Sequence, residues 1–177
     1  MRYEEFAELA LSYLNQLYRA ARRQCASTHD ADDLVQETYR LAFEHYRDLR
    51  SLAHCRAWLY RILHRQAATL HRRNRAAPIL VEVGAEATQE LGPPSVADDA
   101  LEHVALDEIR NAIAALPPDL RVAVTLCDVE GFTYDEIADI TDCPVGTVRS
   151  RIARARAKLM TQLQANAAAL GIRRQRA

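Results

Sequence analysis

Residues 133–163 read TYDEIADITDCPVGTVRSRIARARAKLMTQL, and their spacing predicts two helices meeting at a tight corner. Thr133 and Glu136 stand three apart, the spacing at which a hydroxyl and a carboxylate each bond a backbone N–H left open at a helix start. Ile137, Ala138 and Ile140 then give a short helix its buried side. Pro144, which has no N–H to donate, suits the opening turn of a new helix after the Thr141–Cys143 corner. In that second helix, at about 100° per residue, Val148, Ile152, Ala155 and Leu159 form one stripe. Arg149, Ser150, Arg151, Ala153, Arg154 and Lys158 lie largely on the other side. One face can pack inward while the other offers guanidinium forks to a polyanion, a geometry that matches guanine edges and phosphate. A solvated basic face would explain the arginines alone, but not their agreement with cap, corner and stripe.

The rest of the composition fits an all-α protein. The chain has 177 residues, 49% of them apolar and 27% charged, with five glycines. No apolar run approaches the roughly 20 residues that span a bilayer. The start, MRYEEFAELA, is acidic where a secretion signal would be basic and then apolar, so a cytoplasmic location without membrane insertion is expected.

A net charge of −1 conceals an uneven distribution. Residues 1–75 carry 13 basic and 9 acidic side chains, residues 76–120 carry 1 and 9, and residues 121–177 carry 9 and 6. Two basic blocks flanking an acidic connector point to two modules that each meet nucleic acid. Cys25, Cys55, Cys127 and Cys143 lack the paired spacing of a zinc site, so buried or half-buried thiols and no metal are expected. His64 and His71 share helical spacing but have no evident third ligand.

Periodicity divides the chain into two small helical domains, 1–75 and 99–177, joined by a flexible acidic linker over 76–98. The first reads as three helices: Tyr3 to about Gln24, a second capped by Asp30 and running to about Tyr46, and a third from His54 to about Asn74. Trp58, Leu59, Ile62 and Leu63 form the third helix's inner side, with Trp58 as a core anchor. The linker holds Pro, Gly and acidic residues and one β-like fragment, Ile79–Val83. Helix resumes near Asp99, pauses at Leu116-Pro117-Pro118 and continues from Asp119 to about Glu130, where Gly131 ends it before the helix-turn-helix.

Three stretches in this order resemble bacterial RNA polymerase sigma factors of the extracytoplasmic-function group, in the sigma-70 family. Asp32-Asp33-Leu34-Val35-Gln36-Glu37-Thr38 is similar to the family's core-polymerase-binding helix, and Arg56-Ala57-Trp58-Leu59-Tyr60-Arg61-Ile62 to its −10 element helix. Leu116-Pro117, Gly131–Ala138 and Pro144–Arg151 resemble the domain that reads the −35 element. The resemblance implies a two-domain initiation factor that performs no catalysis and uses no cofactor. Its implied partners are core RNA polymerase (the clamp helices of the largest subunit, and the flap), promoter DNA and an anti-sigma factor.

Roles follow residue by residue from the resemblance. Asp33, Gln36 and Glu37 would meet the clamp helices; a carboxylate there also suits its own helix dipole, whereas Gln36 gains nothing from it. Arg50, Ser51, Arg61 and Arg65 would hold the exposed strand of the −10 element, where cationic grooves grip unstacked bases. The family pattern often has Asn where Arg65 stands and Asp where Thr69 stands, so phosphate attraction can replace base reading there. Arg149, Ser150, Ala153 and Arg154 would face base edges of the −35 element, Ala153 through shape or a thymine methyl. Arg151 and Arg156 would sit on phosphates, and Thr147 on a phosphate at the helix start. Two alternatives remain at this point: a stand-alone helix-turn-helix regulator, and a metal- or redox-sensing helical protein built on the cysteines and histidines.

Overall fold

A computed structural model describes residues 3–25, 27–76 and 108–169; the expected linker, its β-like fragment and the start of the helix near Asp99 lie outside them. Among the described residues there are helices and turns and no strand, so the all-α expectation holds. The elements are α1 (Tyr3–Ser12), α2 (Leu14–Arg22), α3 (Thr28–Glu44), α4 (Cys55–Ala76), α5 (residues 108–114), α6 (Pro118–Val124), α7 (Tyr134–Thr141) and α8 (Val145–Ala169). Helices α1–α4 make one compact unit, and α5, α6 and α8 form the body of a second.

The first helix expected from periodicity is two helices. Ser12 Oγ donates to the Leu9 carbonyl at 2.7 Å, and the Tyr39 hydroxyl donates to the Ala10 carbonyl at 2.7 Å. In a regular helix those two carbonyls would accept the N–H groups of Tyr13 and Leu14. The Tyr13 N–H turns instead to Ala10 at 3.2 Å, and α2 starts afresh at Leu14. Asp30 is not the cap of α3. That position belongs to Ser27, whose hydroxyl accepts from the Asp30 N–H at 3.0 Å.

Ala31, Leu34, Val35, Thr38, Tyr39 and Ala42 alternate by three and one along α3 and are all buried. They meet the inner side of α4, where Cys55, Leu59, Tyr60, Leu63 and Ala67 are buried. Phe6 closes the core, its ring 5.5 Å from Phe43, 5.7 Å from Tyr46 and 6.0 Å from Trp58. Trp58, half-buried, therefore anchors the core as its spacing predicted. Two single turns of 3-10 helix, Tyr46–Asp48 and Leu52–His54, carry the chain from α3 to α4.

In the second unit Pro118 occupies the first helical position of α6, where its missing N–H costs nothing. The single helix expected to Glu130 widens after Val124 into a π turn over Thr125–Val129. The Glu130 N–H reaches the Thr125 carbonyl at 3.0 Å, and Gly131 at φ +73° then reverses the chain. Leu116, Leu120 and Val124 pack on Ala155, with Leu159 beside them.

Candidate nucleic-acid interface

The helix-turn-helix forms from the residues that predicted it. The Thr133 N–H donates to Glu136 Oε2 at 2.9 Å, and the Glu136 N–H donates to Thr133 Oγ1 at 3.3 Å, closing the reciprocal cap of α7. Ile137 and Ile140 are buried. Asp142 takes the left-handed conformation of the corner at φ +53°. Pro144 stands one residue before α8 rather than inside it, and its carbonyl accepts the N–H groups of Thr147 at 2.8 Å and Val148 at 3.1 Å.

Along α8, Val148, Ile152 and Ala155 are at most 1% exposed and Leu159 is half-buried, so the predicted stripe is the packed face. Arg149, Ser150, Ala153 and Arg154 are exposed opposite it, and Thr147 is half-buried. Arg154 folds back along its own helix: Nε donates to the Ser150 carbonyl at 3.2 Å and Nη2 to Ser150 Oγ at 3.3 Å. Ser150 Oγ in turn donates to the Thr147 carbonyl at 2.9 Å. This short chain fixes the height at which Arg154 leaves the helix.

Two arginines of the same helix are held differently. Arg151 Nη2 lies 2.8 Å from Asp119 Oδ2 on α6, with Nη1 3.5 Å from Cys143 Sγ. Arg156 forks onto Asp128 of the π turn, Nε to Oδ2 at 3.1 Å and Nη2 to Oδ1, with Cys127 Sγ 3.7 Å from Nη2. These hydrogen bonds hold the Asp128 carboxyl below its usual range and raise the Arg156 guanidinium. Sequence reading passed over Asp119 and Asp128 because their partners are 32 and 28 residues away, beyond any local spacing rule.

In the first unit, Asp33 and Gln36 are exposed on α3 and Glu37 is half-buried. Glu37 is already engaged by Arg40, whose Nε and Nη2 reach its two oxygens at 2.7 and 2.8 Å while Nη1 reaches Glu44 at 2.8 Å. Arg40 was missed from the sequence, although its placement three after Glu37 and four before Glu44 is a legible charge pattern.

Arg50 and Ser51 are exposed between the two 3-10 turns, and Ser51 Oγ accepts from the Ala53 N–H at 3.3 Å. Arg61 and Arg65 share a side of α4 one turn apart. Arg65 is exposed; Arg61 is half-buried, with a buried Nε that has no hydrogen-bond partner. Thr69, which stands at a departure from the family pattern, bonds backward, its hydroxyl to the Arg65 carbonyl at 3.1 Å.

The thiols give little support to a redox sensor. All four cysteines carry thiols rather than disulfides. Burial pushes Cys25 and Cys55 up to about 11 and raises Cys127 as well, the opposite of what a reactive thiolate needs.

Residues 9–77 match the family described as sigma-70 region 2, and residues 106–159 the family described as sigma-70, region 4. The ECF RNA polymerase sigma-E factor of Haemophilus influenzae is 38% identical over 149 residues, covering 78% of this chain and 77% of that protein. The sigma-E factor of Escherichia coli K12 is 37% identical over 157 residues, covering 76% and 74%. The solved sigma factor RpoE of Bartonella quintana, in complex with the anti-sigma factor NepR, superposes with a TM-score of 0.72 at 26% identity, covering 91% of this chain and 98% of that one. The order of regions, the helix-turn-helix geometry and these relatives agree: the chain belongs to the sigma-70 family, as an extracytoplasmic-function RNA polymerase sigma factor.

Proposed function

We propose that this sigma factor docks on core RNA polymerase through α3 and brings it to promoters by reading a −10 and a −35 element. Residues 1–75 carry the first task and the −10 contacts, residues 99–177 the −35 contacts, and residues 76–98 connect them. Asp33, Gln36 and Glu37 are the proposed contacts to the clamp helices, with Arg40 holding the Glu37 carboxylate in place. Arg50, Ser51, Arg61 and Arg65 are the proposed contacts to the −10 strand.

The observation that carries the reading is α8, which exposes Arg149, Ser150, Ala153 and Arg154 opposite a stripe packed at Val148, Ile152 and Ala155. A helix so seated can enter a major groove, with Thr147 near a phosphate at its start. Arg151 and Arg156 already carry a carboxylate each, which sets them apart from those four.

The factor makes and breaks no bond; phosphodiester synthesis belongs to the polymerase, and the two work together in the cytoplasm. Among the described residues no helix is long and apolar enough to cross a membrane. Control by an anti-sigma factor is proposed from the likeness to the Bartonella protein solved with one.

Run-off transcription with purified core enzyme on a randomised promoter pool tests the whole reading. The expected result is transcripts that start at positions sharing two upstream motifs and that require both proteins. Binding to the same DNA without core enzyme, at equal affinity and specificity, would overturn it in favour of a stand-alone regulator. Within that assay Arg149→Ala is expected to cost about 1–3 kcal/mol at one −35 base pair and to relax the preference there.

A further inference from the structure

We propose that Asp119 and Asp128 are positioning residues for −35 reading, clamping α8 through Arg151 and Arg156 so that its arginine face meets DNA at one fixed rotation. The inference rests on the reading of α8 as the −35 helix. It reverses the role that sequence alone gave the two arginines, from phosphate contacts to braces.

The geometry of the helix makes the case. At about 100° per residue, Val148, Ile152, Ala155 and Leu159 centre on one line along α8. Arg151 leaves the helix about 70° to one side of that line and Arg156 about 70° to the other. The centre of Arg149, Ser150, Ala153 and Arg154 falls nearly opposite. Where α8 meets Leu116, Leu120 and Val124 it offers the methyl group of Ala155 with Leu159 beside it, so at that contact side chains on the flanks add resistance to roll.

A pair of braces on the two flanks opposes roll in both directions. Asp119 sits in the first turn of α6, where the helix dipole steadies its charge while it receives Arg151. Asp128 owes its position to the π turn; the extra residue in that turn offsets the carboxylate from where a regular helix would carry it. The fork of Arg156 onto both oxygens of Asp128 specifies direction as well as distance. Each guanidinium also rests against a sulfur, Cys143 at 3.5 Å and Cys127 at 3.7 Å, weak acceptors that complete both sockets. A side chain committed in this way is poorly placed to swing out to a phosphate.

The test uses reconstituted holoenzyme and a promoter pool randomised across the −35 element, with binding measured at several salt concentrations. Asp119→Asn and Asp128→Asn are each expected to lower discrimination between the preferred −35 sequence and its single-base variants about two- to fivefold, the range that exposed ion pairs carry. The slope of log affinity against log salt should stay unchanged. Asp128→Glu should restore part of the discrimination. The exchanged pair Asp128→Arg with Arg156→Asp should restore more than either change alone allows.

If Arg151→Ala or Arg156→Ala instead flattens the salt slope by about 0.9, the expectation for one lost phosphate contact, the proposal is overturned. It is also overturned if the Asn variants lower the melting temperature and leave discrimination intact, since the aspartates would then serve stability alone. A wild-type holoenzyme showing no −35 preference would defeat the underlying function rather than the clamp, so the two failures are told apart.

Discussion

Phe6 packs its ring against Phe43, Tyr46 and Trp58, and Tyr39 lies 6.1 Å from Phe43, so the first unit is closed by interlocked aromatic faces. The corresponding place in the second unit holds Leu116, Leu120, Val124 and Ala155, with Leu159 against them. Large rings bury much area per residue and hold each other by edge and face. Aliphatic side chains bury less area each, and the second unit adds local devices: the Thr133–Glu136 cap, the left-handed turn at Gly131 and the Asp–Arg pairs. Interlocking rings thus close the first unit, whereas a mainly aliphatic core that includes Leu126, Ile137, Val148 and Ile152 closes the second, with backbone turns and ion pairs added to it.

The largest expected effect tests that division at its strongest point. Phe6→Ala should destabilise the first unit by about 3–5 kcal/mol, because the cavity left among three rings cannot collapse. Trp58 is the chain's one tryptophan and borders that cavity, so its fluorescence during urea unfolding reads this unit directly. Amide exchange along α8 should be little changed. Equal loss of protection in α8 would mean that the two units unfold as one, and the comparison would fail.

Titration should separate the units on the acid side. Cys55 is pushed up to about 11 from an ordinary 9.0 by burial, and Tyr39 is raised by burial and then by the nearby Cys55. Between pH 9 and 11 the unfolded chain has already released the Cys55 proton while the folded chain holds it, so stability falls as pH rises through that window. Cys25, raised to about 11, adds to the same trend. Asp128 is lowered, chiefly by its hydrogen bonds from Arg156, so what it contributes is present above its ordinary 3.8 and is lost as acid protonates it in the fold. Burial raises Cys127 of the second unit too, so both units weaken in alkali, and α8 amide protection should in addition fall on the acid side as Asp128 protonates.

A smaller change probes the local devices. Thr133→Ala removes the hydroxyl that receives the Glu136 N–H and should cost about 1 kcal/mol. Faster amide exchange confined to the first turn of α7, with an unaltered Trp58 transition, is the expected result. A shifted Trp58 transition would place Thr133 within the first unit's cooperative structure.

These devices also show how much the sequence disclosed. The Thr133–Glu136 spacing, the stripe from Val148 to Leu159 and the outer face of Arg149, Ser150, Ala153 and Arg154 were all legible, because each depends on neighbours within about two helical turns. The α1–α2 break was not, since it needs the Tyr39 hydroxyl, 29 residues away, to claim the Ala10 carbonyl. Ser27 was overlooked beside the more obvious Asp30, which occupies the third helical position instead. Arg151 and Arg156 pair with carboxylates that only the fold brings near, so a basic helix face read from sequence does not show which of its charges are already paired within the protein.

The smallest expected effect is Gly146→Ala, and its sign makes it useful. A methyl group at Gly146 meets nothing within 4 Å, and the residue lies in the first turn of α8 without the positive φ that Gly131 needs. Alanine there narrows the unfolded ensemble and should stabilise the second unit by about 0.4–1 kcal/mol, whereas Gly131→Ala should destabilise it through the strained backbone. Folding therefore gives no reason for glycine at 146. The proposed −35 reading puts a DNA phosphate at the start of α8 beside Thr147, where an added methyl group would keep it away. Gly146→Ala should then raise the unfolding midpoint while weakening promoter binding by holoenzyme. A rise in both would place the phosphate elsewhere and confine the DNA contacts to the side-chain face of α8.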